Sequence, residues 1–268
     1  MVPVSKNRQI LGNSILGFYL RGAEFVELIQ DKYSQSEIFR ITGNLPGTFY
    51  SMPKIAWIKK YQADLYNNTD YFLTWVDFVC FMLGGMPVTN YSLAGQTLLF
   101  DILNCTWSDK LLDILGLDIL KFATPRQSGT FLGYVRADIA EQLHLGKGVA
   151  IISGGHDQCC AALGSGIKSD SKSAMYGMGT FICVLPVFFQ MPDIHSMYEN
   201  NLHIEHHVIP GYFISYIFNQ SGGALVKCIK QMFFSSEQQT FISPQNEYNA
   251  MFNEIPDSSS DVLVIPRF

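Results

Sequence analysis

The stretch from residue 149 to residue 166, VAIISGGHDQCCAALGSG, constrains the fold more than any other part of this chain. Five apolar or small residues read as a strand, two glycines as a turn, and the small-residue run that follows as a helix. A strand that runs through a tight turn into a helix is the repeating unit of α/β folds. In such sheets, ligands bind beyond the carboxyl ends of the strands. Asp157 stands at such an end. The carboxylate has two readings. As an N-cap, Asp157 accepts backbone N–H groups of the helix starting near Gln158, worth roughly 1 kcal/mol. As a base or metal ligand, it faces a substrate that Gly154 and Gly155 allow close to the backbone. Spacing alone leaves both open.

The rest of the chain supports an α/β reading. Residues 14–20 read as a strand and residues 22–33 as an amphipathic helix carrying Phe25, Val26, Leu28, Ile29 and Tyr33 on one side. Residues 43–47 read as a turn, the segment after Pro53 as a helix, and residues 70–83 as a second, buried helix ended by Gly84 and Gly85. Ser108 is an expected N-cap, with Leu111, Leu112 and Leu115 as the buried stripe. Residues 136–144 form a further helix, with Gly146 where a C-terminal glycine cap belongs. After Gly166 the texture changes to strand-like runs, SAMYGMGTFICVLPVFF, NLHIEHHVIP and GYFISYIF, before a helical SGGALVKCIKQMFF. A domain boundary is expected there, giving domains over residues 1–166 and 167–268.

Composition excludes several function classes. Of 268 residues, 48% are hydrophobic and 15% charged, enough apolar material for a core and too little charge for disorder. The net charge of −5 and the lack of a basic run argue against a nucleic-acid surface. Six cysteines without a CxxC pair read as reduced core thiols of a cytoplasmic protein. The most apolar stretch, YFLTWVDFVCFMLGG, is too short to span a bilayer, so no membrane is expected as a partner.

Four segments, in order, carry a resemblance. GGHDQCCAALGSG resembles the GG-x-D-Q segment of the FGGY family of carbohydrate kinases, which includes glycerol kinases, xylulokinases and gluconokinases. FYSMPKIAWIKK is similar to the family's first signature, with Lys54 and Trp57 at its Lys and Trp. VTNYSLAGQTLLFDILNCTWSDKLLDILGLD resembles its T-D-Y-S-x-A-S-x-T-x-L-F-D segment followed by W-S. MGTF resembles its glycine–threonine phosphate turn. The resemblance implies two ribonuclease-H-like domains of the actin and hexokinase ATPase type, both incomplete here. It also implies transfer of the γ-phosphate of ATP, with Mg²⁺, to a sugar or polyol hydroxyl. Asp157 is then the base, Gln158 a substrate contact, and Gly179 and Thr180 the phosphate turn. Phe49 stands where glycerol kinases have a tyrosine touching the polyol, here without its hydroxyl. Arg21 is the retained Arg of the family's Trp-x-Asp-x-Arg, while Gly17 and Tyr19 replace its Trp and Asp.

Other departures bear on activity. Nothing before residue 14 resembles the family's D-x-G-T turn, and the final VLVIPRF resembles the strand before its G-x-R-x-P segment. The chain is therefore expected to be a fragment lacking both ends, either of a working carbohydrate kinase or of a non-catalytic sugar-binding pseudokinase. A second copy, or a complementary chain carrying the missing ends, is the expected protein partner. Two motifs remain. In NLHIEHH, residues His203, Glu205 and His207 share a strand face suited to zinc, though such a face is more often solvated. NQSGG, residues 219–223, is a turn before a helix and lacks the lysine of a P-loop, and no metal ligand is assigned.

Overall fold

The computed structural model describes residues 1–167, 173–179, 182–219 and 222–233. They divide into two compact units. The first comprises Met1–Ala174 with Leu185–Tyr216, and the second takes Met175–Val184 and resumes at Ile217.

The first unit is built of short strand pairs with helices between them. Val2–Val4 pairs antiparallel with Tyr71–Leu73, and Val88–Asn90 runs parallel to Thr124–Arg126. Phe100–Asp101 pairs with Thr106–Trp107, and Phe131–Tyr134 with Ala150–Ile152 across a register shift at Gly133. Glu205–His206 pairs with Phe213–Ile214, which also pairs with Val187 and Phe188. In the second unit, Ile182, Cys183 and Val184 lie opposite Asn219, Phe218 and Ile217, and the helix Gly223–Phe233 follows.

The core of the first unit forms where helical stripes meet these pairs. The helix Ser51–Tyr61 buries Met52, Ile55, Ala56 and Ile58 against Ile29, Ile38, Phe72, Leu98 and Phe100. Each large side chain so covered contributes roughly 1.5–3 kcal/mol. The helix Ala23–Gln30 packs through Val26 and Ile29 but leaves Leu28 of the expected stripe exposed, whereas Asp109–Leu115 packs through Leu111, Leu112 and Leu115 behind the Ser108 cap, as the periodicity predicts.

Several local expectations are corrected. Residues 14–20 contain no strand; the N-terminal strand is Val2–Val4, and the later segment runs as turns whose Leu16, Phe18 and Leu20 are exposed. Residues 70–83 are not one helix. Tyr71–Leu73 is a strand because it pairs with Val2–Val4, and Thr74 then caps Trp75–Leu83, accepting the Asp77 N–H. That helix buries one face, through Asp77 and Phe81, and leaves Trp75 and Val79 exposed. The helix Gln35–Thr42 has no counterpart in the sequence reading, although S-x-x-E marks its start: Ser34 and Glu37 form a capping box, and Gly43 closes it in the left-handed region. Gly146 caps nothing; His144, at φ 53°, takes the left-handed position after Ala137–Gln142. The VAIIS strand is half-covered: Ile151 is buried and Ile152 exposed.

Candidate functional site

The strand Ala150–Ile152 leads through Ser153, Gly154 and Gly155 into the helix Asp157–Gly164. A side chain at Gly154 would meet open space, whereas one at Gly155 would fall 2.0 Å from Val208 Cγ1. Gly155 is thus required by Val208, a packing constraint distinct from the substrate approach expected of it. Asp157 is not the N-cap. His156 holds that position, and Asp157 is the first helical residue. Its Oδ1 accepts the Gln158 N–H at 2.7 Å and lies 3.2 Å from His156 Nε2. The Asp157 side chain is 81% exposed, against 25% for His156. A carboxylate that is held at one oxygen and open at the other is suited to accept a proton.

A buried polar layer lies beneath this turn. His156 donates its backbone N–H to Ser92 Oγ at 2.9 Å, and its Nδ1 lies 3.0 Å from the Tyr216 hydroxyl. Tyr216 is in turn 3.0 Å from Cys159 Sγ. Glu205 is buried, with Oε1 accepting from Gln96 Nε2 at 2.6 Å. Burial pushes its carboxyl up to about 7 and the Cys159 thiol up to about 12. The same desolvation holds His156 below the ordinary imidazole value, the neighbouring Asp157 charge opposing it.

None of this layer is legible as a site in the sequence. Tyr216 reads there as a strand residue, and Glu205 as part of a solvated or zinc-binding face. Both readings of that face are corrected, because Glu205 and His207 are buried and His207 Nδ1 accepts the Ile209 N–H. Among the described residues no three His, Cys, Asp or Glu side chains gather as a metal site. The six cysteines are free thiols, with Cys159 buried but Cys160 exposed.

Arg21 and Phe49 belong to a different neighbourhood. Lys54, itself buried, donates from Nζ to the carbonyls of Gly17, at 3.1 Å, and Thr48, tying the 17–21 loop to the start of the helix Ser51–Tyr61. Desolvation lowers the Lys54 ammonium to about 8. Arg21 lies over the rings of Tyr19 and Trp57, at 5.4 and 5.1 Å. Trp57, half-buried, packs against the core. Arg21, Tyr19, Asn13, Ser14 and Gln62 line a cavity of about 390 Å³, whose lining does not include Asp157 or Gln158. Phe49 is exposed, stacked at 4.3 Å on Tyr50.

Gly179, in the second unit, accepts the Gly223 N–H at 2.9 Å. Thr180 lies outside the described residues, as do residues 262–268, VLVIPRF. No helix among the described residues is long and apolar enough to cross a membrane.

Known proteins resemble this chain in sequence and fold. Residues 1–164 match the N-terminal domain of the FGGY family of carbohydrate kinases. A xylulose kinase of Staphylococcus epidermidis is 28% identical over 237 residues, which are 88% of this chain and 46% of that protein. An autoinducer-2 kinase of Salmonella paratyphi A is 27% identical over 244 residues, covering 88% and 44%. The chain therefore spans about half the length of the curated relatives it matches. Among solved structures, the xylulose kinase of Rhodospirillum rubrum superposes with a TM-score of 0.82 at 16% identity, over 96% of this chain and 51% of that one. The Plasmodium falciparum glycerol kinase with ADP gives 0.75 at 19% identity, over 94% and 50%. These likenesses show the fold, the ribonuclease-H-like α/β architecture of such kinases. With the strand-to-helix junction at Asp157 falling inside the matched segment, the chain belongs to the FGGY family of carbohydrate kinases.

Proposed function

We propose that this chain is the sugar-holding part of an ATP-dependent carbohydrate kinase in which Asp157 is the base. The observation that carries this reading is the Asp157 carboxylate itself: exposed at a strand-to-helix junction, its Oδ1 engaged by the Gln158 N–H, its Oδ2 free. Phosphoryl transfer asks little covalent chemistry of a protein and depends on position and charge. Asp157 accepts the proton of the attacking sugar hydroxyl as that oxygen takes the γ-phosphoryl group, which ATP supplies. Gln158, on the following half-buried turn, orients the substrate, with Arg21 and Phe49 as further contacts. Gly179 and Thr180 are assigned the phosphate contact, on the resemblance of MGTF to the family's phosphate turn. The Mg²⁺ that accompanies ATP in this chemistry is assigned no ligand here, because no metal-ligating group of three is present among the described residues. The boundary of the sugar-binding domain lies near residue 166, the protein is cytoplasmic, and its protein partner is a second copy or a complementary chain.

A second reading, sugar binding without turnover, is favoured by Gly17 and Tyr19, which stand at the family's Trp and Asp positions. Calorimetric titration with xylulose, gluconate and glycerol, followed by sugar-dependent ADP release in a chain extended to the full length of its relatives, separates the two. Binding with ADP release supports the kinase. Binding without it supports the second reading, and no binding of any sugar opposes both.

A further inference from the structure

We infer that His156 is a positioning residue for Asp157, its imidazole locked as the Nε2–H tautomer by Tyr216 so that it donates to Asp157 Oδ1. The inference rests on the reading of Asp157 as base. Its evidence is a continuous path of short contacts within the first unit. An ionised carboxylate only accepts hydrogen bonds. The 3.2 Å approach of His156 Nε2 to Asp157 Oδ1 is therefore attractive only if Nε2 carries the proton. In a neutral imidazole the other nitrogen is then an acceptor. Nδ1 lies 3.0 Å from the Tyr216 hydroxyl, so Tyr216 donates to it. That leaves the Tyr216 oxygen to accept from Cys159, whose Sγ is also at 3.0 Å.

The electrostatics agree with this direction. Burial holds Cys159 as a thiol and keeps the Tyr216 hydroxyl protonated, its pKa raised well above the ordinary value. The opposite tautomer would set an Nε2 lone pair against the carboxylate and send the Tyr216 hydrogen elsewhere. The buried Glu205 is the competing acceptor, but Gln96 donates to its Oε1 and its Oε2 has no hydrogen-bond partner, so the Tyr216 hydrogen is not spent there. The imidazole is further fixed by the bond from its backbone N–H to Ser92 Oγ and by an edge contact with the Tyr216 ring at 5.5 Å.

The consequence is an asymmetry in the base. Oδ1 accepts the Gln158 N–H and lies 3.2 Å from His156 Nε2, a bond and a polar contact that restrain an otherwise exposed carboxylate. Oδ2 is left as the oxygen that takes the hydroxyl proton. A positioned base is worth more than a mobile one because the orienting entropy is lost before the reaction.

The test is long-range ¹H–¹⁵N correlation on the chain with ¹⁵N-labelled histidine at pH 7.5, His156 being assigned by its proximity to the Tyr216 ring. The expected result is a single Nε2–H tautomer in the parent and a mixture of tautomers in Tyr216→Phe. An Nδ1–H tautomer in the parent, or the same spectrum in Tyr216→Phe, overturns the inference. In turnover, His156→Ala is expected to lower kcat by roughly tenfold at unchanged KM, with His156→Gln, which keeps an N–H donor, restoring most of it. A parent-like kcat in His156→Ala also overturns it. Failure of the base reading is distinct: Asp157→Asn would turn over normally while the parent imidazole spectrum stayed as described.

Discussion

Replacing Glu205 by Gln removes a carboxyl that is 2% exposed and whose second oxygen, Oε2, has no hydrogen-bond partner. Desolvation raises its pKa from 4.5 to about 7, the hydrogen bond from Gln96 opposing the rise. The sign is that of an acid with a raised folded pKa. Between these two values the folded chain holds a proton that the unfolded chain has released, so stability falls as pH rises through the window. Above about 7 the penalty is complete, and below 4.5 it is absent. At about 1.4 kcal/mol per unit, a shift of this size corresponds to roughly 3 kcal/mol, an upper figure because buried sites relax. The introduced amide cannot ionise and keeps an acceptor for Gln96 Nε2. Glu205→Gln is therefore expected to match the parent near pH 4.5 and to exceed its unfolding free energy by about 1–3 kcal/mol at pH 8. Asp77, raised to about 6, and His207 with the half-buried His203 and His206, all lowered by desolvation, titrate in both proteins and cancel in the difference. The assay is urea unfolding, followed by tryptophan fluorescence, for both proteins from pH 5 to pH 8.5. A difference that does not change with pH would refute the reasoning.

Two further perturbations address the packing around the Arg21 neighbourhood. Lys54→Met deletes the donor to the Gly17 and Thr48 carbonyls and is expected to speed tryptic cleavage after Arg21 by roughly tenfold with the fold retained; an unchanged cleavage rate would contradict the tether. Gly22→Ala places a Cβ 2.0 Å from the Pro53 carbonyl at a residue with φ 85°, and is expected to cost at least about 2 kcal/mol in urea unfolding, so a neutral result would contradict the close approach.

What the sequence reveals and what it withholds follow from the range of the interactions. The helix after Ser108 is legible because its cap and its leucine stripe are neighbours in the chain. Tyr71–Leu73 is not, because it is a strand only by pairing with Val2–Val4, and its apolar residues fit a helix equally well. The junction at Asp157 is visible as strand, glycines and carboxylate, yet its chemistry depends on distant partners. Ser92 holds the His156 backbone and Tyr216 its ring, and no local pattern marks either one. Glu205 shows the same limit: in NLHIEHH it looks solvated or metal-binding, and only the fold brings Gln96 to it and closes off water.

The most direct test is sugar-dependent ADP release by this chain extended to the full length of its relatives, as the parent, and by the same protein carrying Asp157→Asn, with sugar affinity measured alongside. Asn keeps the shape and an acceptor for the Gln158 N–H, so stability should change by well under ~1 kcal/mol. It removes the proton acceptor and the negative charge that aligns the hydroxyl. Turnover is predicted to fall by roughly 10²–10⁴-fold, the usual worth of a positioned base, while sugar affinity stays within a few-fold. A variant that releases ADP within a few-fold of the parent rate would contradict the assignment of Asp157 as the base.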